Sequence, residues 1–179
     1  EYDALKAAAD KLEEDKAAAK VVEDQIAALG NITLESKAAI EAAEVAYTAL
    51  TDARKALVTN YATLTAARAA YDALVEAAEQ AAIDQAAANG MMELINNIGT
   101  VTLDSGDAIV NAYAVAQKYG EDILSAVKNM ADLENASVTY TMLRVQTVID
   151  AIDAIGTVTL ESEQKIKDAQ NAYAKLSAD

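Results

Sequence analysis

The sequence predicts an all-α protein, built as tandem three-helix bundles that share long connecting helices in an extended rod. Three observations carry that prediction. Proline is absent and only 6 glycines occur in 179 residues, so little interrupts a helix. Alanine, the strongest helix former, makes up roughly a quarter of the chain. A short motif also recurs: Gly30-Asn-Ile-Thr-Leu-Glu-Ser36 returns as Gly99-Thr-Val-Thr-Leu-Asp-Ser105 and as Gly156-Thr-Val-Thr-Leu-Glu-Ser162. The first shift, from Gly30 to Gly99, is 69 residues and runs without gaps; it also superposes Tyr2-Asp-Ala-Leu5 on Tyr71-Asp-Ala-Leu74. The second, from Gly99 to Gly156, is 57 residues.

Each element has a local reason. A helix over 2–29 ends at Gly30, expected in the left-handed conformation that stops a helix. The next, over 36–50, starts at Ser36 with Leu34 placed to staple its first turn, and Ile40, Ala43, Tyr47 and Leu50 form its core stripe. A two-turn helix over 52–58 precedes Asn60, the expected N-cap of a very long helix over 60–98. That helix should close one bundle and open the next, with Gly90, where the first copy has Val21, as its expected weak point. The pattern repeats over 106–119, 121–128, 130–155 and 162–176, with Leu103 and Leu160 as staples and Asn129 as a cap. Expected domains are 1–75, 76–145 and 146–179, the last an opening hairpin, so the chain reads as a fragment of a longer array.

Composition narrows the function. Lys plus Arg number 14 against 29 Asp plus Glu, a net charge of −15 that opposes nucleic acid and anionic membranes. No apolar run is long enough to span a membrane. Without His or Cys there is no imidazole base, no thiolate, and no zinc, haem or iron–sulfur site, so no cofactor, metal site or catalytic residue is assigned. The acidic clusters Glu13-Glu14-Asp15 and Glu121-Asp122 lack the spacing of a calcium loop and read as solvated faces. Absent Trp and Phe speak against a carbohydrate platform, which with an enzymatic accessory domain is the alternative of another class.

The strings Ala66-Ala-Arg-Ala-Ala-Tyr-Asp-Ala-Leu74, Lys55-Ala-Leu-Val-Thr-Asn-Tyr-Ala-Thr-Leu64 and Val148-Ile-Asp-Ala-Ile-Asp-Ala-Ile-Gly-Thr-Val-Thr-Leu-Glu-Ser162 resemble tandem helical repeats in large cell-surface proteins of Gram-positive gut bacteria. The resemblance implies a helical fold, an extracellular location at the cell wall and a non-enzymatic role. Some such modules bind host proteins, including immunoglobulins, and others are spacers. An immunoglobulin-binding adhesin is therefore the alternative to a plain stalk, and neighbouring repeats are the other candidate partner.

Comparison between copies singles out one patch. Val110 stands where the other copies have Glu41 and Lys167, and Tyr113 where they have Glu44 and Gln170. Ile123 and Leu124 replace Arg54 and Lys55, although a one-residue slip would place them on the core positions of Leu57 and Val58. Val110, Tyr113, Ile123 and Leu124 are thus the candidate protein-binding residues. Two readings stay open: a docking face, or a surface that packs on helix 60–98 or a neighbouring repeat. Met91 aligns with Val22 and Val148 and belongs to the core, while Tyr47, Tyr71, Tyr140 and Tyr173 read as buried rings with hydroxyls at the rim.

Overall fold

The computed structural model describes residues 1–176, which contain eight α-helices and, among the described residues, no strand. In order these are α1 (Tyr2–Ala27), α2 (Lys37–Thr48), α3 (Asp52–Lys55), α4 (Tyr61–Asn96), α5 (Gly106–Ala116), α6 (Glu121–Leu124), α7 (Met130–Asp153) and α8 (Glu163–Leu176). Two compact units form, Glu1–Ala81 and Ala82–Asp179. Residues 61–81 of α4 belong to the first and 82–96 to the second. Helices α7 and α8 both lie in the second unit.

The helices end earlier than periodicity suggests, because their last turns tighten. Leu29 N donates to Ile26 O and Leu50 N to Tyr47 O, the closer three-residue spacing. The two-turn helices shrink to single turns for the same reason: after α3, Leu57 N donates to Arg54 O and Val58 N to Lys55 O. Gly30, Gly99 and Gly156 all take positive φ, at 57°, 60° and 61°. No other residue in the described chain does so, which accounts for glycine at each stop. Helix α4 runs through Gly90 without interruption.

Helix starts differ from expectation in one respect. The serine of each motif does not cap the helix after it; its hydroxyl turns back to accept from the backbone N–H three residues earlier. Ser36 Oγ accepts from Thr33 N, Ser105 Oγ from Thr102 N and Ser162 Oγ from Thr159 N, each at 2.9 Å. The threonine hydroxyl in turn accepts from the backbone N–H two positions on, and the serine N–H donates to the threonine carbonyl, so the turn satisfies its own amides. This tight turn directs the following leucine outward. Leu34, Leu103 and Leu160 are exposed rather than acting as staples, and Ile32 and Val101 pack on the cores instead.

Each unit has one apolar core. The first joins Ala19, Val22 and Ile26 of α1, Ile40 and Ala43 of α2, then Val58, Leu64 and Ala67. The second joins Ala88, Met91 and Ile95 of α4, Ile109 and Ala112 of α5, then Val127, Leu133 and Ala136. Every residue of the first set maps onto one of the second at the 69-residue shift. Alanine recurs at three matched positions, 19/88, 43/112 and 67/136, where facing helices must approach closely. Deep burial of the branched side chains, with Ile26, Ile40, Leu64 and Leu133 at no more than 1% exposure, supplies most of the stabilisation.

Candidate functional site

Of the four residues singled out by copy comparison, only Val110 lies fully on the surface, at 67% exposure. Tyr113, Ile123 and Leu124 are half-buried and pack against the second core. The 69-residue register holds through this region, since Val127 is buried like Val58, so Ile123 replaces Arg54 and no slip occurs.

The first unit explains the substitutions. There, Arg54 of α3 reaches Asp15 of α1, Nε to Oδ1 at 2.6 Å, while Lys11 holds the other carboxylate oxygen at 3.1 Å. Asp15 is 7% exposed, which corrects the expectation of a solvated acidic face. Its carboxyl is held below the usual range, mostly by the Arg54 hydrogen bond and then by Lys11, against desolvation. Arg68 of α4 grips Glu44 of α2 through two parallel bonds, Nε to Oε1 at 2.8 Å and Nη2 to Oε2 at 2.6 Å, and this lowers the Glu44 carboxyl as well. Tyr47 stacks on Tyr61 with ring centroids 4.0 Å apart, and Lys55 Nζ lies 5.8 Å from the Tyr47 centroid.

In the second unit the same positions hold Ile123 for Arg54, Tyr113 for Glu44, Ser137 for Arg68, Leu124 for Lys55, Ala116 for Tyr47 and Met130 for Tyr61. Tyr113, Ala116, Ile123, Leu124 and Met130 thus pack on the second core where the first copy has charged and aromatic side chains, while Asp84 retains the acid of Asp15. At Glu44 and Arg54 the polar residue of the first copy marks a paired position, not bare surface, which is why comparing single positions overstated exposure at Tyr113 and Ile123. The loss of Glu44 together with Arg68 was the available signal.

Two further contacts were not anticipated. Asn60 and Asn129 stand before the long helices as expected, but neither caps its own helix with its side chain. Asn60 Nδ2 donates to the Glu23 carbonyl at 3.0 Å, and Asn129 Nδ2 to the Met92 carbonyl at 3.0 Å and Asn96 Oδ1 at 2.9 Å. Each asparagine ties the third helical segment to the first. Beside Asn60, Glu23 accepts from both the backbone N–H (2.8 Å) and the hydroxyl (2.5 Å) of Thr59, which lowers its carboxyl.

Tyr140 of α7 lies so close to α5 that a Cβ on Gly106 would meet its hydroxyl at 2.5 Å; Lys37 holds that position in the first copy. Beside Tyr140 a cleft of about 500 Å³ opens between α7 and α8, with Arg144 and Lys175 on its rim and, among the described residues, no carboxylate in its lining. Among the described residues, no group of three metal-ligating side chains converges, and no helix is long and apolar enough to cross a membrane. The tyrosines divide: Tyr47, Tyr71 and Tyr140 are half-buried, whereas Tyr173 is 64% exposed, which corrects the expectation of four buried rings.

No family model matches the chain, and neither a curated protein nor a solved structure matches it.

Proposed function

We propose that this chain is a non-enzymatic helical repeat module of a bacterial cell-surface protein, a semi-rigid stalk of tandem three-helix bundles with a docking face for a host protein on its middle copy. The observation that carries the reading is the duplication of a whole core, position for position, at a fixed shift. Such duplication extends a chain by equal increments with nearest-neighbour coupling, which suits a spacer. The resemblance to repeats of Gram-positive surface proteins supports the cell-surface location. An immunoglobulin is the first candidate host partner, and an adhesin dedicated to it is the alternative. The docking arm rests on Val110, since an exposed valine beside a half-buried tyrosine is a small anchor for a partner.

Surface plasmon resonance of the chain against immobilised immunoglobulins and other serum and mucosal proteins tests that arm. Saturable binding lost in Val110→Glu is the expected outcome. Glutamate stands at the matching position 41, so the variant should fold normally. Absence of binding to every protein would remove the docking face and leave the stalk.

A further inference from the structure

The third copy of the repeat is buried differently from the first two. Ile26 and Ile95 are 1% and 4% exposed, yet their counterpart Ile152 is 53% exposed. Ile32 and Val101 pack on cores, whereas Val158 is 69% exposed. Tyr173 is open where Ala116 is buried and Tyr47 half-buried. The hairpin of α7 and α8 is nonetheless built: Val148 and Ala169 are each 7% exposed and Ser162 is 4%.

The first two copies show what covers these positions. In each, a closing segment crosses the opening pair with a buried valine, then an asparagine, then a buried leucine and alanine: Val58, Asn60, Leu64 and Ala67, or Val127, Asn129, Leu133 and Ala136. The asparagine donates to the carbonyl of Glu23 or Met92, and the matching carbonyl in the third copy is that of Ile149. The open stripe also continues an existing interface along one helix, because α7 carries Leu133 and Ala136 in the second core and then Val148 and Ile152. The closing segment of the first copy, residues 51–71, carries this pattern complete, with Val58, Asn60, Leu64 and Ala67.

We infer that the α7–α8 hairpin is a helix-docking groove whose occupant is an amphipathic helix of the repeat's own closing pattern, with asparagine at its start and apolar side chains four and seven residues later. The inference rests on the repeat reading and is independent of a cell-surface location. The groove supplies a preformed pair of helices, and the incoming helix supplies the third apolar face, the helix-in-groove mode of recognition.

The test uses a fluorescently labelled peptide of residues 51–71, titrated with the full chain by anisotropy, with hydrogen exchange locating the contact. Saturable binding is expected, with added amide protection in the second half of α7 and in α8. Ile152→Asp should weaken binding at least tenfold, whereas Ile83→Asp, at another exposed isoleucine, should leave it unchanged. Circular dichroism of Ile152→Asp should match the parent, because the side chain is half-exposed. Absence of saturable binding, or binding indifferent to Ile152→Asp, would overturn the inference while leaving the stalk proposal standing. Protection gained in α1 and α2 instead would mean that the peptide replaces the chain's own closing segment, and would also overturn it. Sedimentation of the chain alone adds the last outcome: a dimer lost in Ile152→Asp would assign the groove to self-association and refute the closing-helix occupant.

Discussion

Ile95→Ala and Ile152→Ala make the same chemical change at the same repeat position within one compact unit. Their side chains are 4% and 53% exposed, so the two variants isolate burial from residue type. Truncation to alanine removes three carbons; at about 0.8 kcal/mol for each buried carbon the transfer loss is about 2.4 kcal/mol for Ile95. The cavity left among Met91, Ile109 and Leu133 raises the total to about 3–4 kcal/mol. At Ile152 about half the transfer loss applies, solvent fills the space, and alanine's better helix propensity returns a few tenths, for a net cost of about 0.5–1 kcal/mol. Hydrogen exchange of the α5 amides in rising urea reads the second unit directly, without assuming that both units unfold together. Costs equal within about 0.5 kcal/mol would refute the claim that Ile152 lies outside a closed core, whereas a gap of about 2 kcal/mol or more is expected.

Acid should weaken the first unit selectively. Glu44 and Asp15 are held below their ordinary values of 4.5 and 3.8, so their contribution is present above those values and is lost as pH falls through the lower folded ones. Between pH 6 and pH 3 the thermal midpoint of the Ile26 and Ile40 methyl signals in NMR should therefore drop further than that of Ile95 and Ile109, and Arg68→Met should narrow the difference; equal drops would contradict the pairing. Gly99→Ala should cost about 1–2 kcal/mol through its left-handed backbone alone, since no atom lies within 4 Å of the added Cβ. Gly99→Asn should recover part of that loss in urea denaturation, and a neutral alanine variant would contradict the assigned φ. Asn129→Ala removes the tie from α7 to α4 and should cost about 1–2 kcal/mol by the same assay. A cost near that of an ordinary surface substitution would show that the bond carries no net stability.

Helices, stops and core positions were legible because they depend on neighbours within one turn. A 3.6-residue apolar period places Ile40, Ala43 and Tyr47 on one face whatever they meet, and glycine at 30, 99 and 156 follows from a local requirement for positive φ. Repeat arithmetic extended this to the cores, since a 69-residue shift carries buried positions onto buried positions. Polar positions were less legible. Whether Asp15 or Glu44 faces solvent depends on Arg54 and Arg68, which lie 39 and 24 residues away on other helices. Asn60 and Asn129 sit where caps belong, yet their amides reach across to another helix because its carbonyls come within 3.0 Å.

By itself, then, the sequence determined the helical class, the repeat register and the core stripes of α2 and α5, all consequences of backbone preference and apolar period. Only the tertiary structure decided that Tyr113 and Ile123 serve as packing where the first copy uses ion pairs, that Leu124 does so where Lys55 lies over the Tyr47 ring, that Asp15 is buried, and that Ile152 stands open while Ile26 and Ile95 are sealed. The physical reason is common to all three. Burial of a side chain is a property of what lies opposite it, and opposite faces come from segments whose separation in sequence leaves no local trace.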